Sequence, residues 1–355
     1  MKLRLSIAAL LVVGLSNVFT LLGAQGNTKV WTDPKAEDLP ADFKVQGEYA
    51  ATGIGVQVIA LGKGQFQGVV YPGGLPGSGW NGEDRSLMSG SLKGRRVVFK
   101  AADGNRRYLA AEPDSFSASK AYPPKGQQAF SGSINRQGRR FNLKTPSGLE
   151  LKLAKTARRS ATLGMPAPEG AKQLFDGKNT VAFNGGRLDE DTQLLNTDGN
   201  DIRTKDSFQN YSMHLEFMLP FRPDARGQGR GNSGFYQVDH YELQILDSFG
   251  LEGLNNECGG FYTKAAPSVN MCFPPLQWQT YDVEFSNAVR EGDRKVKNAV
   301  VTVWHNGVKI HDQLEINGKT GGSRRDPEGT PGPIKLQGHG NPLQFRNIWI
   351  LEKSE

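Results

Sequence analysis

Apolar and polar residues alternate one by one along most of the C-terminal half of this chain. One such run has its apolar members at Tyr211, Met213, Leu215 and Phe217. Successive side chains of a β-strand point to opposite faces of a sheet, whereas an α-helix repeats every 3.6 residues. Similar short runs recur in both halves, separated by many of the 44 glycines and 19 prolines, which disfavour long helices. The sequence therefore predicts an all-β protein.

The alternating runs of the C-terminal half extend over residues 170–353. Tyr281, Val283 and Phe285 form another apolar row, and Asn306-Gly307 supplies a two-residue hairpin turn, because both positions tolerate positive φ. Antiparallel strands with one apolar face bury that face against a second sheet. We predict that residues 170–353 form a β-sandwich of the jelly-roll type.

Residues 46–155 are predicted to form a smaller antiparallel β domain, either a meander or a barrel. Two segments in it resemble each other, since Ser89-Gly90-Ser91 and Ser131-Gly132-Ser133 each precede an alternating strand with basic outward positions. The composition also predicts an extended lead-in at residues 25–45. A Pro/Ala linker at residues 156–169 joins the two domains.

Positive charge is concentrated in the N-terminal domain. Between Lys93 and Arg159 there are sixteen Lys or Arg and four Asp or Glu, a surplus of twelve, in a chain of net charge +7. Such a patch could hold the protein against an anionic polysaccharide of the cell envelope. A charged face that is merely solvated is the alternative. Nucleic acid is not an expected partner, because no nucleic-acid-binding module is recognisable.

The first 24 residues predict a signal peptide. Lys2 and Arg4 precede an apolar run from Leu5 to Leu22, and the small residues Gly23 and Ala24 follow it. An uncleaved N-terminal anchor is the alternative. No later segment is apolar for long enough to cross a bilayer. We expect an exported protein, periplasmic or extracellular, with no stable membrane insertion.

The chain has two cysteines, Cys258 and Cys272, fourteen positions apart. In an oxidising compartment a disulfide between them is the simplest prediction. The alternative is a pair of buried free thiols. Three histidines (His214, His305 and His311) are expected at the surface.

The run from Phe235 to Ser248 is the most informative for function. Its alternation turns Tyr241, Leu243 and Ile245 towards the core and projects His240, Glu242 and Gln244 on the other face, about 7 Å apart. A glycine-rich loop at residues 226–234 precedes it and can approach a ligand closely. A row of acid, amide and imidazole suits a ligand rich in hydroxyl groups. An ordinary solvated outer face is the alternative.

Two stretches of this region carry a family resemblance. Gly231-Asn232-Ser233-Gly234-Phe235-Tyr236, followed by Tyr241-Glu242-Leu243-Gln244-Ile245-Leu246-Asp247-Ser248, resembles the central motif of the 3-keto-disaccharide hydrolase family. Segments similar to the rest of that family occur in the same order, at residues 174–178, 278–283, 306–310, 332–340 and 345–349. The resemblance covers about residues 170–353 and implies a concanavalin A-like jelly-roll fold. The family was once known only as a domain of unknown function.

The resemblance also implies a glycoside or oligosaccharide substrate that is already oxidised at C3. A C3 ketone acidifies the C2 hydrogen, so the glycosidic bond can break by elimination, which needs a base, an acid and a group that stabilises the enolate. We assign Glu242 as base or metal ligand, His339 as its acid partner and Asp247 as the second carboxylate. The residues expected to bind the sugar are Asn232, Tyr236, His240, Gln244, Trp278 and Arg346.

No cofactor is certain from the sequence, and three alternatives remain open. A divalent cation held by Glu242, Asp247 and His339 could polarise the ketone. A glycosidase that uses two carboxylates would need Glu242 and Asp247 to face each other across the bond. A non-catalytic carbohydrate-binding or envelope-adhesion module would keep the same cleft without needing Glu242.

Overall fold

The computed structural model describes residues 29–353 and contains almost only β-strands, which confirms the all-β prediction. The strands form two domains. Residues 1–28 and 354–355 lie outside the described residues, and so does the predicted signal peptide. Within the described range, no helix has the length and apolarity that a membrane span requires.

The N-terminal domain is a closed antiparallel barrel. The lead-in holds one short helix, α1 (Ala41–Val45), where extended chain was predicted. The strands of this domain are β1 (Gly47–Ala51), β2 (Gly53–Gly62), β3 (Gln65–Gly73), β4 (Ser86–Lys93), β5 (Arg96–Ala101), β6 (Arg107–Tyr108), β7 (Phe116–Ser117), β8 (Ser131–Asn135), β9 (Arg140–Lys144) and β10 (Glu150–Thr156). The barrel closes in the order β1-β10-β9-β8-β5-β4-β3-β2, while β6 and β7 form a separate parallel pair beside a 3₁₀ turn at Pro113–Ser115.

Two glycines explain the repeated Ser-Gly-Ser segments of the barrel. Phe99 on β5 pairs with Gly90 on β4 and with Gly132 on β8. A Cβ atom at Gly90 would overlap the Phe99 ring, and one at Gly132 would overlap the Phe141 ring. The two rings pack together with their centroids 4.9 Å apart inside the barrel. The glycine of each segment has no side chain, and a buried aromatic ring fills the space that a side chain would occupy.

The C-terminal domain is a sandwich of two sheets. Its strands are β11 (Lys172–Phe175), β12 (Phe183–Asn184), β13 (Arg187–Asp189), β14 (Leu194–Asn196), β15 (Ile202–Thr204), β16 (Asn210–Met218), β17 (Ser233–Gln237), β18 (Tyr241–Ile245), β19 (Trp278–Ser286), β20 (Val289–Glu291), β21 (Arg294–Lys297), β22 (Ala299–His305), β23 (Val308–Ile316), β24 (Lys335–Leu336) and β25 (Gln344–Glu352). A 3₁₀ turn occupies Gly227–Gly229.

The two sheets of the sandwich differ in size. The large sheet has the order β13-β14-β25-β16-β19-β22-β23, with β11 also paired to β25, and the small sheet has the order β12-β15-β24-β17-β18. A further hairpin, β20-β21, stands apart from both. Rows predicted from alternation meet between the sheets: Phe235 of the small sheet stacks on Tyr281 of the large one at 6.4 Å between centroids, and Phe217 packs beside it. This core leaves one outer face on each sheet.

The barrel packs firmly against the sandwich. Outward residues of barrel strands β2 and β3, among them Ile59 and Tyr71, belong to the same buried apolar cluster as the sandwich core. Conversely, Phe221 and Leu276 of the sandwich join the apolar cluster of the barrel. Because apolar burial is the main source of stability in such contacts, we infer that the two domains form one structural unit.

The predicted linker lies across the outer face of the large sheet. We call residues 158–165 the strap. At its start, Arg158 donates to both carboxylate oxygens of Glu48 on β1, at 2.5 and 2.7 Å. Further along, the Thr162 hydroxyl donates to Asp282 at 2.6 Å, and the Met165 carbonyl accepts from the Asn347 side chain at 3.0 Å. The strap is thus fixed to both domains by hydrogen bonds to side chains.

A buried polar cluster on the large sheet holds the strap. Glu216 accepts from the Gly164 amide at 2.5 Å and from Arg346 at 2.7 Å. His214 lies 2.6 Å from Asp282 through Nδ1 and 3.4 Å from Glu216 through Nε2. Burial alone would lower the pKa of His214, but these two carboxylates raise it. Burial would likewise raise the pKa of Glu216, yet hydrogen bonds led by the one from His214 bring it down to about 2.

Two expectations from the sequence are corrected by the fold. Cys258 and Cys272 are both buried free thiols, with no disulfide between them. Cys258 Sγ lies 3.2 Å from the Tyr281 hydroxyl, Cys272 Sγ lies 3.5 Å from the Leu246 carbonyl, and the two thiols are also neighbours within hydrogen-bonding reach of each other. The histidines expected at the surface are buried instead: His214, His305 and His311. His214 lies on the outer face of the large sheet beneath the strap, whereas His305 and His311 lie on its inner face, opposite the core residues Tyr281 and Val303.

Replacing Glu216 by alanine is expected to destabilise the protein by roughly 3–5 kcal/mol, because Arg346 and His214 lose a buried partner. Urea denaturation at pH 7 measures this. The Glu216 contribution is fully present above the unfolded pKa of 4.5 and is lost as the pH falls towards 2.

The matched control is Glu284→Ala on the neighbouring strand β19. Glu284 is about half exposed and meets only Lys353, at 3.7 Å, so a loss below about 1 kcal/mol is expected. Equal losses for the two variants would contradict the role of the cluster.

Candidate functional site

A cleft of about 220 Å³ opens on the outer face of the small sheet. It brings together five of the residues predicted from the sequence. These are Asn232, Tyr236, Glu242, Gln244 and His339. The remaining wall comes from Gln228, Tyr262, Gly321, Gly322 and Gln337.

Strand register explains why the central residues share one face. Tyr236 on β17 pairs directly with Glu242 on β18, and Gly234 pairs with Gln244. Residues that face each other across antiparallel strands point to the same side of the sheet. Tyr241, Leu243 and Ile245 consequently turn into the core, as the alternation predicted.

Glu242 is the central ionisable group of the cleft. Its side chain is almost wholly shielded from solvent, and its carboxylate oxygen Oε2 lies 2.9 Å from the Tyr236 hydroxyl. Burial raises the pKa of Glu242 to about 7, although the Tyr236 hydrogen bond and the positive charge of Lys335 act in the opposite direction. A carboxyl group with this pKa can both accept and return a proton near neutral pH.

The Tyr236 hydroxyl can serve both protonation states of Glu242. It lies 2.9 Å from Glu242 Oε2 and also 2.9 Å from the carbonyl of Gly321. When Glu242 is ionised, the hydroxyl can donate to the carboxylate; when Glu242 is protonated, the hydroxyl can donate to Gly321 and accept from the acid. Neither state leaves a buried polar group without a partner, so the proton can move at low cost.

Lys335 supports this arrangement from the neighbouring strand β24. Its ammonium group lies 3.6 Å from the centroid of the Tyr236 ring, within cation–π range. It also lies 2.7 Å from Asp239 and donates to the Gly322 carbonyl at 2.6 Å. Lys335 therefore fixes both the tyrosine and the glycine pair at the rim of the cleft.

Gly234 provides the space that the Glu242 side chain occupies. A Cβ atom at this position would overlap the Glu242 carboxylate and would approach the Tyr236 ring to 2.7 Å. On the other side of the carboxylate, the side-chain amide of Gln244 finds hydrogen-bond partners when its nitrogen points towards Glu242 Oε1, at 3.1 Å. A glycine and an amide thus hold the carboxylate in one orientation.

The barrel holds the loop that carries Gln228 and Asn232. Arg226 and Arg230 flank Gln228, and they donate to the carbonyls of Leu61 and Ala60 on β2, at 2.8 and 3.0 Å. The Asn232 amide donates to Gln228 Oε1 at 3.0 Å, while its own buried Oδ1 has no protein partner within the described residues. This oxygen is available to accept a hydrogen bond from a ligand hydroxyl.

Asp247, predicted as the second carboxylate, does not reach the cleft. It is buried at the domain boundary, and its Oδ2 lies 2.5 Å from Arg230 Nε. The predicted metal triad of Glu242, Asp247 and His339 therefore does not form. Within residues 29–353, no group of three or more His, Cys, Asp or Glu is arranged to hold a metal ion.

Arg346 and Trp278 are also absent from the cleft. The Arg346 guanidinium stacks on the Trp278 ring at 4.0 Å and binds Glu216, so both lie on the outer face of the large sheet. The cleft lies on the outer face of the small sheet. The two faces are on opposite sides of the sandwich, with the core between them.

His240 lies in the turn between β17 and β18 and not on the predicted strand face, and a neighbouring segment covers it. The Thr320 amide donates to its carbonyl at 3.0 Å, and Arg324 packs beside it. Burial, together with the charges of Arg324 and Lys319, lowers the pKa of His240 to about 4. The imidazole is therefore neutral at physiological pH and does not contact the cleft.

Besides two glycines of the wall, four side chains at the site were not predicted as site residues: three that line the cleft and Lys335 beside it. Gln228 lies in the glycine-rich loop and Gln337 in the stretch at residues 332–340, two segments already singled out from the sequence. Their polar side chains could therefore have been predicted as site residues. Tyr262 and Lys335 were not signalled. Tyr262 lies on an irregular segment, where its amide donates to the Glu242 carbonyl at 3.0 Å.

Comparison with known families connects this cleft to a described domain. A family profile described as the 3-keto-α-glucoside-1,2-lyase-like domain, the 3-keto-disaccharide hydrolase family, matches residues 170–351, just over half of the chain. The chain belongs to this family. The predicted resemblance is confirmed. All residues that line the cleft lie within the matched range, which is the 3-keto-disaccharide hydrolase domain of this chain. The barrel lies outside the match.

Three solved structures with related sequences come from Parabacteroides distasonis. A candidate glycosyl hydrolase from Parabacteroides distasonis is 30% identical, over 53% of this chain and 85% of that one, with a TM-score of 0.48. A second from the same organism is 21% identical, over 52% of this chain and 95% of that one, with a TM-score of 0.40. No curated protein matches the chain significantly.

Glu242 is expected to titrate near pH 7, far above an exposed glutamate, because burial disfavours its charge. ¹³C NMR of protein labelled at glutamate Cδ measures the midpoint, and the Glu242→Gln spectrum assigns the signal. Tyr236→Phe removes a donor to the carboxylate and should raise the midpoint further. A midpoint near 4.5 in the unmodified protein would contradict the buried environment.

Asp247→Asn is expected to cost roughly 3–5 kcal/mol of stability, because Arg230 keeps its charge in a buried site without a counter-ion. Urea denaturation measures the loss, and the NMR midpoint of Glu242 should stay near 7. A large shift of that midpoint with no loss of stability would instead place Asp247 in the electrostatic field of the cleft.

Proposed function

We propose that this protein cleaves glycosidic bonds of sugars that carry a ketone at C3. The proposal rests on membership of the 3-keto-disaccharide hydrolase family and on one observation in the cleft: a single carboxylate, Glu242, whose pKa is about 7. The related proteins of known structure are candidate glycosyl hydrolases, which agrees with a carbohydrate-active role.

The single carboxylate favours elimination over the two-carboxylate route. Retaining and inverting glycosidases place two carboxyl groups about 5–9.5 Å apart across the scissile bond. Among the residues that line the cleft, Glu242 is the one carboxylate, since Asp247 is paired with Arg230 elsewhere. One base of near-neutral pKa is what the removal of an acidified C2 proton requires.

The proposed reaction has two stages that balance as a hydrolysis. In the first, ionised Glu242 takes the C2 proton, the electrons of the C2–H bond form a C1=C2 double bond, and the C1–O bond to the aglycone breaks. His339, exposed at the mouth of the cleft, gives a proton to the departing oxygen. In the second stage, water adds across the double bond: hydroxide joins C1 and a proton returns to C2. The products are the 3-keto sugar and the free alcohol.

The polar wall would orient the sugar ring in this reaction. The buried Asn232 Oδ1 can accept from a hydroxyl, and the amides of Gln228 and Gln337 lie in the same wall. Donors from these amides would also stabilise the negative charge that develops on the C3 oxygen. The predicted metal triad does not come together, and the steps above are assigned to protein side chains.

We also propose export, on the basis of the basic, apolar and small-residue pattern of residues 1–24. The two thiols are compatible with an oxidising compartment because each is almost completely buried, which slows oxidation.

Glu242→Gln is expected to lower the rate of aglycone release from a p-nitrophenyl 3-keto-glucoside by about 10²–10⁴-fold, because the amide cannot take the C2 proton. Absorbance at the p-nitrophenolate band measures release. The unoxidised p-nitrophenyl glucoside should be inert, since its C2 hydrogen is not acidified.

The matched control is Glu315→Gln, the same chemical change at an exposed position of β23, which should keep full activity. Equal cleavage of the oxidised and unoxidised glucosides would contradict elimination. Binding of the 3-keto-glucoside without release by the unmodified protein would favour a non-catalytic binding module.

A further inference from the structure

The two domains carry opposite net charge. Residues 29–156 hold 19 Lys or Arg and 11 Asp or Glu, a surplus of eight positive charges. Residues 157–355 hold 22 and 25, a surplus of three negative charges. The positive charge of the chain therefore resides on the barrel, whereas the cleft belongs to a mildly acidic domain.

Part of this charge lines a groove at one end of the barrel. The groove has a volume of about 670 Å³. Its charged lining residues are Lys44, Arg95, Arg96 and Arg136. They come from three separate elements: the end of α1, the β4–β5 turn and the β8–β9 turn. We call this the basic groove.

The backbone around the basic groove is held in place by hydrogen bonds. The Arg136 amide donates to the Arg95 carbonyl at 3.1 Å, which joins the two turns. The buried Tyr49 hydroxyl lies 2.6 Å from the Val45 carbonyl and 3.1 Å from the Gly138 carbonyl, so it joins α1 to the β8–β9 turn. The backbone that carries the four cations is therefore held in place, which reduces the conformational entropy lost when a ligand binds.

The four cations of the basic groove have no acidic partner within the described residues. Other cations of the same domain do have one: Lys100 pairs with Asp103 and Lys125 with Glu83. Arg158 pairs with Glu48. Like charges that converge without counter-ions raise the local positive potential and attract an anionic ligand.

We propose that the basic groove binds a carboxylate-bearing polysaccharide. Three guanidinium groups can each make paired hydrogen bonds to a carboxylate, and their spread over three elements fits a polymer with repeated acidic groups. Proteins that bind single-stranded nucleic acid add exposed aromatic rings for stacking. The exposed large apolar residues of the described chain are all aliphatic: Val98, Leu149, Val181 and Val289.

The basic groove is connected to the cleft through rigid packing. Phe43, which precedes Lys44 on α1, packs edge-on against Phe221 of the sandwich at 5.4 Å between centroids. Phe221 leads directly into the loop that carries Gln228 and Asn232. A polymer held in the groove would therefore keep the cleft close to the polysaccharide. The choice of a polysaccharide as ligand rests on the proposed function of the cleft, but binding in the groove does not depend on turnover.

The test measures binding of polygalacturonate to the intact protein by isothermal titration calorimetry at low and at physiological salt. Binding is expected, and it should weaken as salt rises. The double substitution Arg95→Gln/Arg136→Gln should weaken it about tenfold, since two exposed guanidinium–carboxylate pairs are lost. Glu242→Gln should bind as tightly as the unmodified protein, so failure of the cleft chemistry and failure of the groove give different results.

The control removes the same two charges elsewhere. Arg107 on the barrel and Lys297 on the sandwich are exposed, and Arg107→Gln/Lys297→Gln should leave affinity unchanged. Equal weakening by both double variants would overturn a localised site. No binding of polygalacturonate, or tighter binding of a single-stranded oligonucleotide than of polygalacturonate, would overturn the proposed ligand.

Discussion

The hydrogen bond between the Glu242 carboxylate and the Tyr236 hydroxyl is the interaction on which the candidate site depends. It exists because β17 and β18 pair in a register that sets the two residues opposite each other, and because Gly234 leaves room for the carboxylate. A one-residue slip of either strand would turn one partner into the core. The apolar row of β18 prevents that slip, since burial of Tyr241, Leu243 and Ile245 fixes the register. Core packing and site chemistry are thus set by the same alternation.

The second domain and the strap give the sandwich support that a single sandwich would lack. The barrel accepts hydrogen bonds from Arg226 and Arg230 and so holds the loop that forms one wall of the cleft. The strap crosses part of the outer face of the large sheet, over Glu216 and Asp282, whereas the candidate cleft opens on the outer face of the small sheet. The barrel therefore has a structural role next to the site as well as the proposed role in binding polymer. A linker that merely separated the domains would provide neither.

The sequence predicted the fold class and much of the cleft, for a physical reason. Alternation determines which residues of a strand share a face, so Glu242 and Gln244 were placed correctly on one side of β18. Alternation does not determine which outer face becomes covered or to which sheet a strand belongs. Arg346 and Trp278 were therefore assigned to the wrong side of the sandwich, and His240 to an open position that the segment around Thr320 covers.

Long-range pairing explains the remaining differences. Asp247 follows a strand that carries site residues, but its partner, Arg230, lies seventeen positions earlier and is bound to the barrel. Nothing in the local sequence signals such a contact. Cys258 and Cys272 do lie next to each other, as the predicted disulfide required, but both are free thiols in the structure.

The central claim is that Glu242 removes a proton from C2 of a 3-keto sugar. The rate of aglycone release from a 3-keto-glucoside that carries deuterium at C2, compared with the rate from the undeuterated glucoside in a single turnover, tests it most directly. Release several-fold slower from the deuterated substrate is the expected result, because the C2–H bond breaks as the aglycone leaves. Equal rates for the two substrates would contradict it.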